Sequence, residues 1–165
     1  MNGKNRVVAV DPGVHNSGWS SFVEEDDGSW RLVEAGFIPS DLWISQPLKV
    51  WPYENLTLII EKPEKYPTKN IYHDDLANLS AVVDMLEEYA REHSWQIEKV
   101  KPAAWKGQVP KKVHHLRITN ELSQLELDSI WWPTASLSHN VLDAIGLGLY
   151  QVKRLGRGGK KLSTD

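Results

Sequence analysis

Cysteine is absent from the 165-residue chain, and phenylalanine and methionine occur only twice each. Without thiols the chain can form no disulfide and no thiolate metal site, so any bound metal would need oxygen or imidazole ligands. No apolar run approaches the roughly 20 residues of a membrane-spanning helix, and the N-terminus lacks the longer apolar core of a signal peptide. We therefore expect a cytoplasmic protein with no membrane partner.

The net charge of the chain is small, but its acidic and basic residues are strongly segregated along the sequence. The formal net charge is only -3, and acidic residues are concentrated early, in the run from Glu24 to Asp27. From Lys99 to Arg117 the chain carries six basic residues and no acidic one, and the stretch KRLGRGGKK repeats this bias near the C-terminus. Such segregation predicts a basic face of the kind that contacts a nucleic-acid backbone. Two solvated basic stretches without a partner are the alternative interpretation.

The length favours one domain, which we place at residues 1–154, followed by a basic tail at 155–165 that we expect to be disordered. Hydrophobic periodicity predicts strands at Arg6–Val10, Gly18–Val23, Trp30–Phe37, Leu56–Glu61 and Gln96–Lys101. It predicts helices at Asp74–His93, at Lys111–Leu125, from Ser136 or Ser138 onward and, weakly, near Asp41–Val50. A meander of three strands followed by alternating strands and helices indicates one α/β domain with a mixed sheet.

Three acidic residues occupy similar positions in these elements. Asp11 ends the first strand before a Pro-Gly turn, Glu61 ends the fourth strand, and Asp143 lies four residues after His139 on the last helix. Each acid has a separate structural explanation as a turn residue, an exposed strand end or a helix residue near the N-terminal dipole. An isolated buried carboxylate is costly, however, so one divalent cation shared by all three is the simpler explanation. Gly146 continues the face of Asp143 and predicts that this face lies close to the sheet.

These motifs together resemble a known family. The strand with Asp-Pro-Gly, the later strand ending in Glu and the C-terminal H-N-x-x-D-A-I-G resemble the RuvC-like Holliday-junction resolvases of the RNase H-like superfamily, especially their short phage and prophage members. The resemblance spans nearly the whole chain in order and spacing. It implies an RNase H-like α/β fold with a mixed five-stranded sheet flanked by helices, a homodimer, and Mg²⁺- or Mn²⁺-dependent cleavage of branched DNA in recombination and repair. By motif, Asp11, Glu61 and Asp143 occupy the positions of the metal-binding acids.

The chain departs from the family pattern at one ligand position. RuvC proteins commonly carry Asp or His three residues before the final Asp, where this chain has Asn140, with His139 one residue further back. We favour His139 as the additional catalytic and metal-binding residue, because imidazole is the stronger ligand for ions such as Mn²⁺. The amide oxygen of Asn140 is the alternative, and a histidine that only caps the start of the helix is a third interpretation.

Two further segments are candidate DNA contacts. The stretch KPAAWKGQVPKK resembles the family segment in which a lysine contacts DNA, and the loop 62–70 follows the predicted catalytic Glu61 at the position where related enzymes approach the junction centre. Lysines would fix the DNA backbone without reading its sequence. We expect Trp105 to be buried in the core rather than stacked on a base. The candidate DNA-binding residues are Lys62, Tyr66, Lys106, Lys111 and Lys112.

The reaction implied by these residues is phosphodiester hydrolysis with two divalent ions held about 4 Å apart. Resolution of a four-way junction needs paired cuts, which a single-domain chain can make only as a homodimer. A nuclease acting on flaps or RNA–DNA hybrids and a non-catalytic junction-binding protein remain alternatives. An ATP-binding fragment of the sugar-kinase and actin-like group shares the D-x-G turn, but such proteins need two domains, so we expect no nucleotide cofactor.

Overall fold

The computed structural model describes residues 3–40, 55–63 and 73–163. The helical stretch expected near residues 41–50 lies outside these ranges. The strands are β1 (Arg6–Asp11), β2 (Asn16–Glu24), β3 (Trp30–Pro39), β4 (Leu56–Glu61) and β5 (Gln96–Val100). The helices are α1 (His73–Glu92), α2 (Pro102–Trp105), α3 (Lys111–Glu121), α4 (Gln124–Asp128) and α5 (Ser138–Gln151). Short 3₁₀ turns lie at Ala135–Leu137 and Arg157–Gly159.

The five strands form one mixed sheet in the order β3-β2-β1-β4-β5. Strands β1, β2 and β3 pair antiparallel, whereas β4 pairs in parallel with both β1 and β5. Val10 is the register partner of Ile60, so Asp11 and Glu61 leave the sheet at neighbouring positions of one edge. The predicted mixed five-stranded sheet is confirmed, and it brings two of the three predicted acids together.

Helices cover both faces of the sheet and give it two hydrophobic cores. Along β1, Val7 and Ala9 face one core, while Val8 and Val10 face the other, as the two-residue period of a strand requires. The first core is shared with α5 and α3 and the second with α1. The central strand is therefore buried on both faces. Within the described residues, no helix combines the length and the apolar character needed to cross a membrane.

The helix predicted over Lys111–Leu125 is interrupted in the structure. Ser123 starts a new helix with a capping box, in which its Oγ accepts the Glu126 N–H at 3.2 Å and Glu126 Oε2 accepts the Ser123 N–H at 2.9 Å. These two bonds satisfy backbone groups that a continuous helix would have paired internally, so α3 ends first. The expected serine cap of α5 is also absent, because Ser138 Oγ instead donates to the Ala135 carbonyl at 2.8 Å.

The residues after α5 differ from the disordered tail expected there. We define residues 155–161 as the C-terminal loop. Leu155 pairs with Lys161 across this loop, and the Gly156 N–H donates to the Lys160 carbonyl at 2.7 Å. Gly158 and Gly159 inside the loop are buried. The folded part of the chain thus extends past residue 154.

Two glycines of α5 allow close packing in different directions. A Cβ at Gly148 would collide with the Phe22 ring and would lie 3.0 Å from Ser20 Oγ, so this glycine is the one that faces the sheet. Gly146, which we expected to face the sheet, instead faces α2 and α3. A Cβ there would lie 2.5 Å from Ile118 Cδ1 and 2.8 Å from Trp105 Cζ3. The face of α5 that carries Asp143 is therefore turned toward these helices.

Candidate active site

Three carboxylates lie at one edge of the sheet. Asp11 ends β1, Glu61 ends β4, and Asp143 projects from the second turn of α5, where its side chain is buried. The start of α5 crosses closely over β2, because a Cβ at Gly18 would collide with the Asn140 backbone. Gly18 is the register partner of Asp11, so this crossing sets Asp143 beside the strand end.

An ammonium group lies between two of these carboxylates. Lys106 Nζ is 2.9 and 3.1 Å from the two carboxylate oxygens of Glu61 and 3.7 Å from Asp143 Oδ2. Lys111 Nζ approaches the same Asp143 oxygen at 3.9 Å. Trp105 precedes Lys106 and is 1% exposed, which confirms its predicted burial, and its Nε1–H donates to Glu61 Oε2 at 2.9 Å. Glu61 is therefore held by two neighbouring residues of one short segment.

His115 is a site residue that the sequence analysis missed. Its Nε2 lies 2.8 Å from Asp143 Oδ1. An ionised carboxylate can only accept hydrogen bonds, so Nε2 is the ring nitrogen that carries hydrogen, and its N–H donates to Asp143 Oδ1. The available signal was the four-residue spacing from Lys111, which places both side chains on one face of α3. The neighbouring His114 is buried instead, with its ring 5.1 Å from that of Trp105.

The charges at this edge are incompletely balanced around Asp11. Burial raises the pKa of Asp11 well above its ordinary value, and repulsion from Glu61 and then from Asp143 raises this pKa further. The positive charges of Lys106 and Lys111 oppose the shift without cancelling it. Two lysines thus face three carboxylates, and the ionised form of Asp11 remains disfavoured.

Asp143 shows the opposite shift. Its burial raises the pKa, but the hydrogen bond from His115 and the charges of Lys106 and Lys111 outweigh burial, so the pKa of Asp143 lies below its usual value. The pKa of Lys106 is raised, because the negative charges of Asp143, Glu61 and Asp11 outweigh the lowering effect of its own burial. The ionised forms of both partners are therefore stabilised where they meet.

Where the structure describes them, the other predicted site residues are not bonded to the three carboxylates. His139 and Asn140 lie half-buried in the first turn of α5, whereas Lys62 and Lys112 are exposed. In the ranges that the structure describes, no hydrogen bond or ion pair connects these four side chains with the three carboxylates. Tyr66 lies outside the described residues. The predicted residues that the structure does bring together are Asp11, Glu61, Asp143, Lys106 and Lys111.

Comparison with solved structures identifies the fold. The chain is similar to Thermus thermophilus RuvC in complex with a Holliday junction substrate, with a TM-score of 0.61 and 15% identity over 88% of this chain and 94% of that one. It is similar to the fowlpox virus resolvase in complex with substrate Holliday junction DNA, with a TM-score of 0.61 and 13% identity over 89% and 96%. The fold is that of the RuvC-like resolvases. The predicted RNase H-like architecture is thereby confirmed.

The yeast mitochondrial Holliday junction resolvase has the same fold, with a TM-score of 0.56 and 13% identity over 89% of this chain and 79% of that one. No protein-family profile matches the sequence, and no curated protein sequence matches it either. The similarity thus resides in the RuvC-like fold at low sequence identity.

The side chains at this edge of the RuvC-like fold suit a hard divalent cation in their chemistry. All three acids offer carboxylate oxygens, which hard divalent cations prefer, and burial together with repulsion from Glu61 and Asp143 raises the pKa of Asp11. Among the described residues, no three Asp, Glu or His side chains are grouped closely enough to hold one ion. Lys106 lies between Glu61 and Asp143. A divalent cation held by these two carboxylates would therefore displace the Lys106 ammonium.

The opposite pKa shifts predict opposite effects of two amide substitutions on stability. Because the pKa of Asp11 is raised by folding, its ionisation destabilises the folded protein increasingly as pH rises through the folded pKa. Because the pKa of Asp143 is lowered, its ionisation contributes stability that is lost as pH falls through the folded pKa. At neutral pH without divalent ions, Asp11→Asn should therefore raise the melting temperature and Asp143→Asn should lower it. Each kcal/mol of change in the free energy of unfolding corresponds to about 2–4 °C.

Thermal unfolding followed by circular dichroism measures both shifts. Asp84→Asn serves as the matched control, because Asp84 is exposed on α1 and should leave the melting temperature unchanged. Destabilisation by Asp11→Asn as large as that by Asp143→Asn would contradict the charge balance described here.

Proposed function

We propose that this protein is a metal-dependent, structure-selective endodeoxyribonuclease that resolves four-way DNA junctions by paired phosphodiester hydrolysis. The observation that carries the proposal is the convergence of Asp11, Glu61 and Asp143 at one sheet edge of a RuvC-like fold. Two of the similar structures contain Holliday junction DNA, which supports branched DNA as the substrate class. Lysines beside the carboxylates provide charge for a phosphate backbone.

Asp11, Glu61 and Asp143 would divide between them the ligand positions of two Mg²⁺ or Mn²⁺ ions per site, with His139 or Asn140 completing the ligands. Within the described parts of the chain, no three acidic or histidine side chains are grouped closely enough to share one ion. When bound, the ions would lower the pKa of the attacking water and stabilise the negative charge on the leaving 3′-oxygen. The protein's own residues prepare this site. His115 fixes the orientation of the Asp143 carboxylate by its hydrogen bond at 2.8 Å.

Lys106 has a double role in this proposal. In the free protein its ammonium neutralises part of the carboxylate charge, at 2.9 Å from Glu61 and 3.7 Å from Asp143. With the carboxylates occupied by cations, Lys106 would be free to contact the phosphate of a bound strand. Lys111, which is more exposed, would contact the same backbone from the first turn of α3. Such contacts position DNA without reading its sequence, as a structure-selective enzyme requires.

Paired cuts require two active sites related by a twofold axis, so we include a homodimer in the proposal. A candidate interface is a second apolar strip along α1, which the helical spacing of Leu79, Val82, Leu86 and Tyr89 indicates. Val82 and Leu86 of that strip are buried in the chain's own core, whereas Leu79 and Tyr89 are only half-buried. The strip therefore serves mainly to cover the sheet, and the proposed homodimer does not depend on it.

The proposal predicts selective loss of cleavage on substitution of any of the three acids. Asp11→Asn, Glu61→Gln and Asp143→Asn should each lower Mg²⁺-dependent nicking of a four-way junction by more than about 100-fold, the upper range for loss of a residue that merely supports a ligand. Junction affinity in Ca²⁺ should be retained, because the lysines remain.

The assay compares four-way, Y-shaped, duplex and RNA–DNA substrates, with Asp84→Asn as the active control. Nicking that survives in one of the three variants would remove that residue from the site. Preferential cutting of Y-shaped or hybrid substrates by the wild type would overturn junction resolution in favour of a flap or hybrid nuclease.

The first turn of α5 generates a second functional prediction. His139→Ala should lower cleavage more than Asn140→Ala does, because imidazole is the stronger ligand for ions such as Mn²⁺ and lies one helical turn from Asp143. Cleavage measured over Mg²⁺ and Mn²⁺ titrations gives the activity and the metal requirement of each variant. The reverse order of the two variants would assign the additional ligand position to Asn140.

A further inference from the structure

The C-terminal loop presents three exposed cations from a fixed backbone. Arg157, Lys160 and Lys161 are all exposed, while Gly158 and Gly159 between them are buried. These two glycines have φ values of 71° and 70°, a left-handed conformation that side-chain-bearing residues rarely adopt. The cations therefore extend from a defined turn and not from a random tail.

This loop packs on the helices that supply the active-site lysines. Arg117 Nη1 of α3 donates to the Gly158 carbonyl at 3.2 Å. A Cβ at Gly158 would lie 2.6 Å from Val109 Cγ2, and a Cβ at Gly159 would lie 2.8 Å from His114 Nδ1. Contact this close shows that only glycine fits at both positions, and it fixes the loop against α3 and the segment before it.

The loop also adjoins the candidate active site directly. Gly107 follows Lys106 in the chain, and a Cβ at Gly107 would lie 3.3 Å from Arg157 Cγ, so the Arg157 stem packs on the residue next to the active-site lysine. Grooves run along both sides of the loop, one lined by residues 107–109 and the other by Arg117 and Asn120. A backbone that leaves Lys106 would thus meet the loop next.

Most of the positive charge on this loop is uncompensated. In the ranges that the structure describes, Lys161 lies 3.9 Å from Glu121, whereas Arg157 and Lys160 form no ion pair. Lys111 and Lys112 are exposed in the first turn of α3, and Lys111 Nζ lies 3.9 Å from Asp143 Oδ2. A protein with a net charge of -3 therefore concentrates cations on the side of its candidate active site.

We infer that the C-terminal loop binds the phosphate backbone of a duplex arm of branched DNA, through Arg157, Lys160 and Lys161. This inference rests on the proposed function and extends it from the cleavage centre to the arm beside it. Each phosphate neutralised by a cation releases condensed counterions, so the logarithm of the association constant falls with the logarithm of salt concentration by about 0.9 per contact on duplex DNA. Loss of the three cations should be visible as a smaller slope.

The test is a triple substitution, Arg157→Gln with Lys160→Gln and Lys161→Gln. Affinity for a four-way junction is measured by fluorescence anisotropy in Ca²⁺ over a series of NaCl concentrations. We expect the magnitude of the slope to fall by about 2 to 3, as loss of three contacts requires. The matched control removes three solvent-exposed cationic side chains elsewhere, Lys4, Arg31 and Arg91, and should leave the slope within about one unit of the wild type.

A second variant separates charge from placement. Gly159→Ala keeps every cation but strains the left-handed backbone and collides with His114, so it should lower the slope while circular dichroism shows an intact fold.

Failure of the proposed function and failure of the inferred role of the loop give different results. Wild type that neither binds nor cuts junctions would overturn the proposed function. Wild type that does both, with slopes equal in the glutamine triple and its control, would overturn the role of the loop, and an unchanged slope in Gly159→Ala would overturn its fixed placement.

Discussion

Three carboxylates meet at one edge of the sheet, where Glu61 and Asp143 repel the ionised form of Asp11. Strand pairing sets Asp11 beside Glu61, and the close crossing of α5 over β2 adds Asp143, so these charges cannot separate without disruption of the core. Neighbouring residues must therefore bring positive charge and hydrogen-bond donors to these carboxylates. The segment of α2 and α3 contributes the hydrogen bond from His115 and the Lys106 ammonium, which lower the pKa of Asp143 against the effect of its burial.

This arrangement connects charge balance with the proposed activity. Lys106 and Lys111 lie beside the Asp143 carboxylate at 3.7 and 3.9 Å, and under the proposed function both would contact phosphate when divalent ions take their place. The C-terminal loop packs on the same helices, so one region of the chain would balance the carboxylates and hold the DNA.

The sequence was sufficient for the sheet and for the three acids, since strand periodicity, Asp11 and Glu61 at strand ends and Asp143 on an apolar helix are local patterns. Contacts across the fold were less predictable. His115 reaches Asp143 only because α3 packs against α5, and its four-residue spacing from Lys111 indicates a shared helix face without indicating the partner. The C-terminal loop has the composition of a disordered tail, yet Gly158 and Gly159 supply the two left-handed residues that fold it.

The most direct test of the account is the position of the cuts in a four-way junction whose strands are labelled individually. The protein, incubated with Mg²⁺, should cut two strands of the same polarity at symmetric positions beside the branch point. Both cuts should leave 3′-hydroxyl and 5′-phosphate ends that a DNA ligase can seal, because the 3′-oxygen is the leaving group. Duplex controls should remain intact. A single cut per junction, cuts placed without symmetry, or equal cutting of plain duplex would contradict the account.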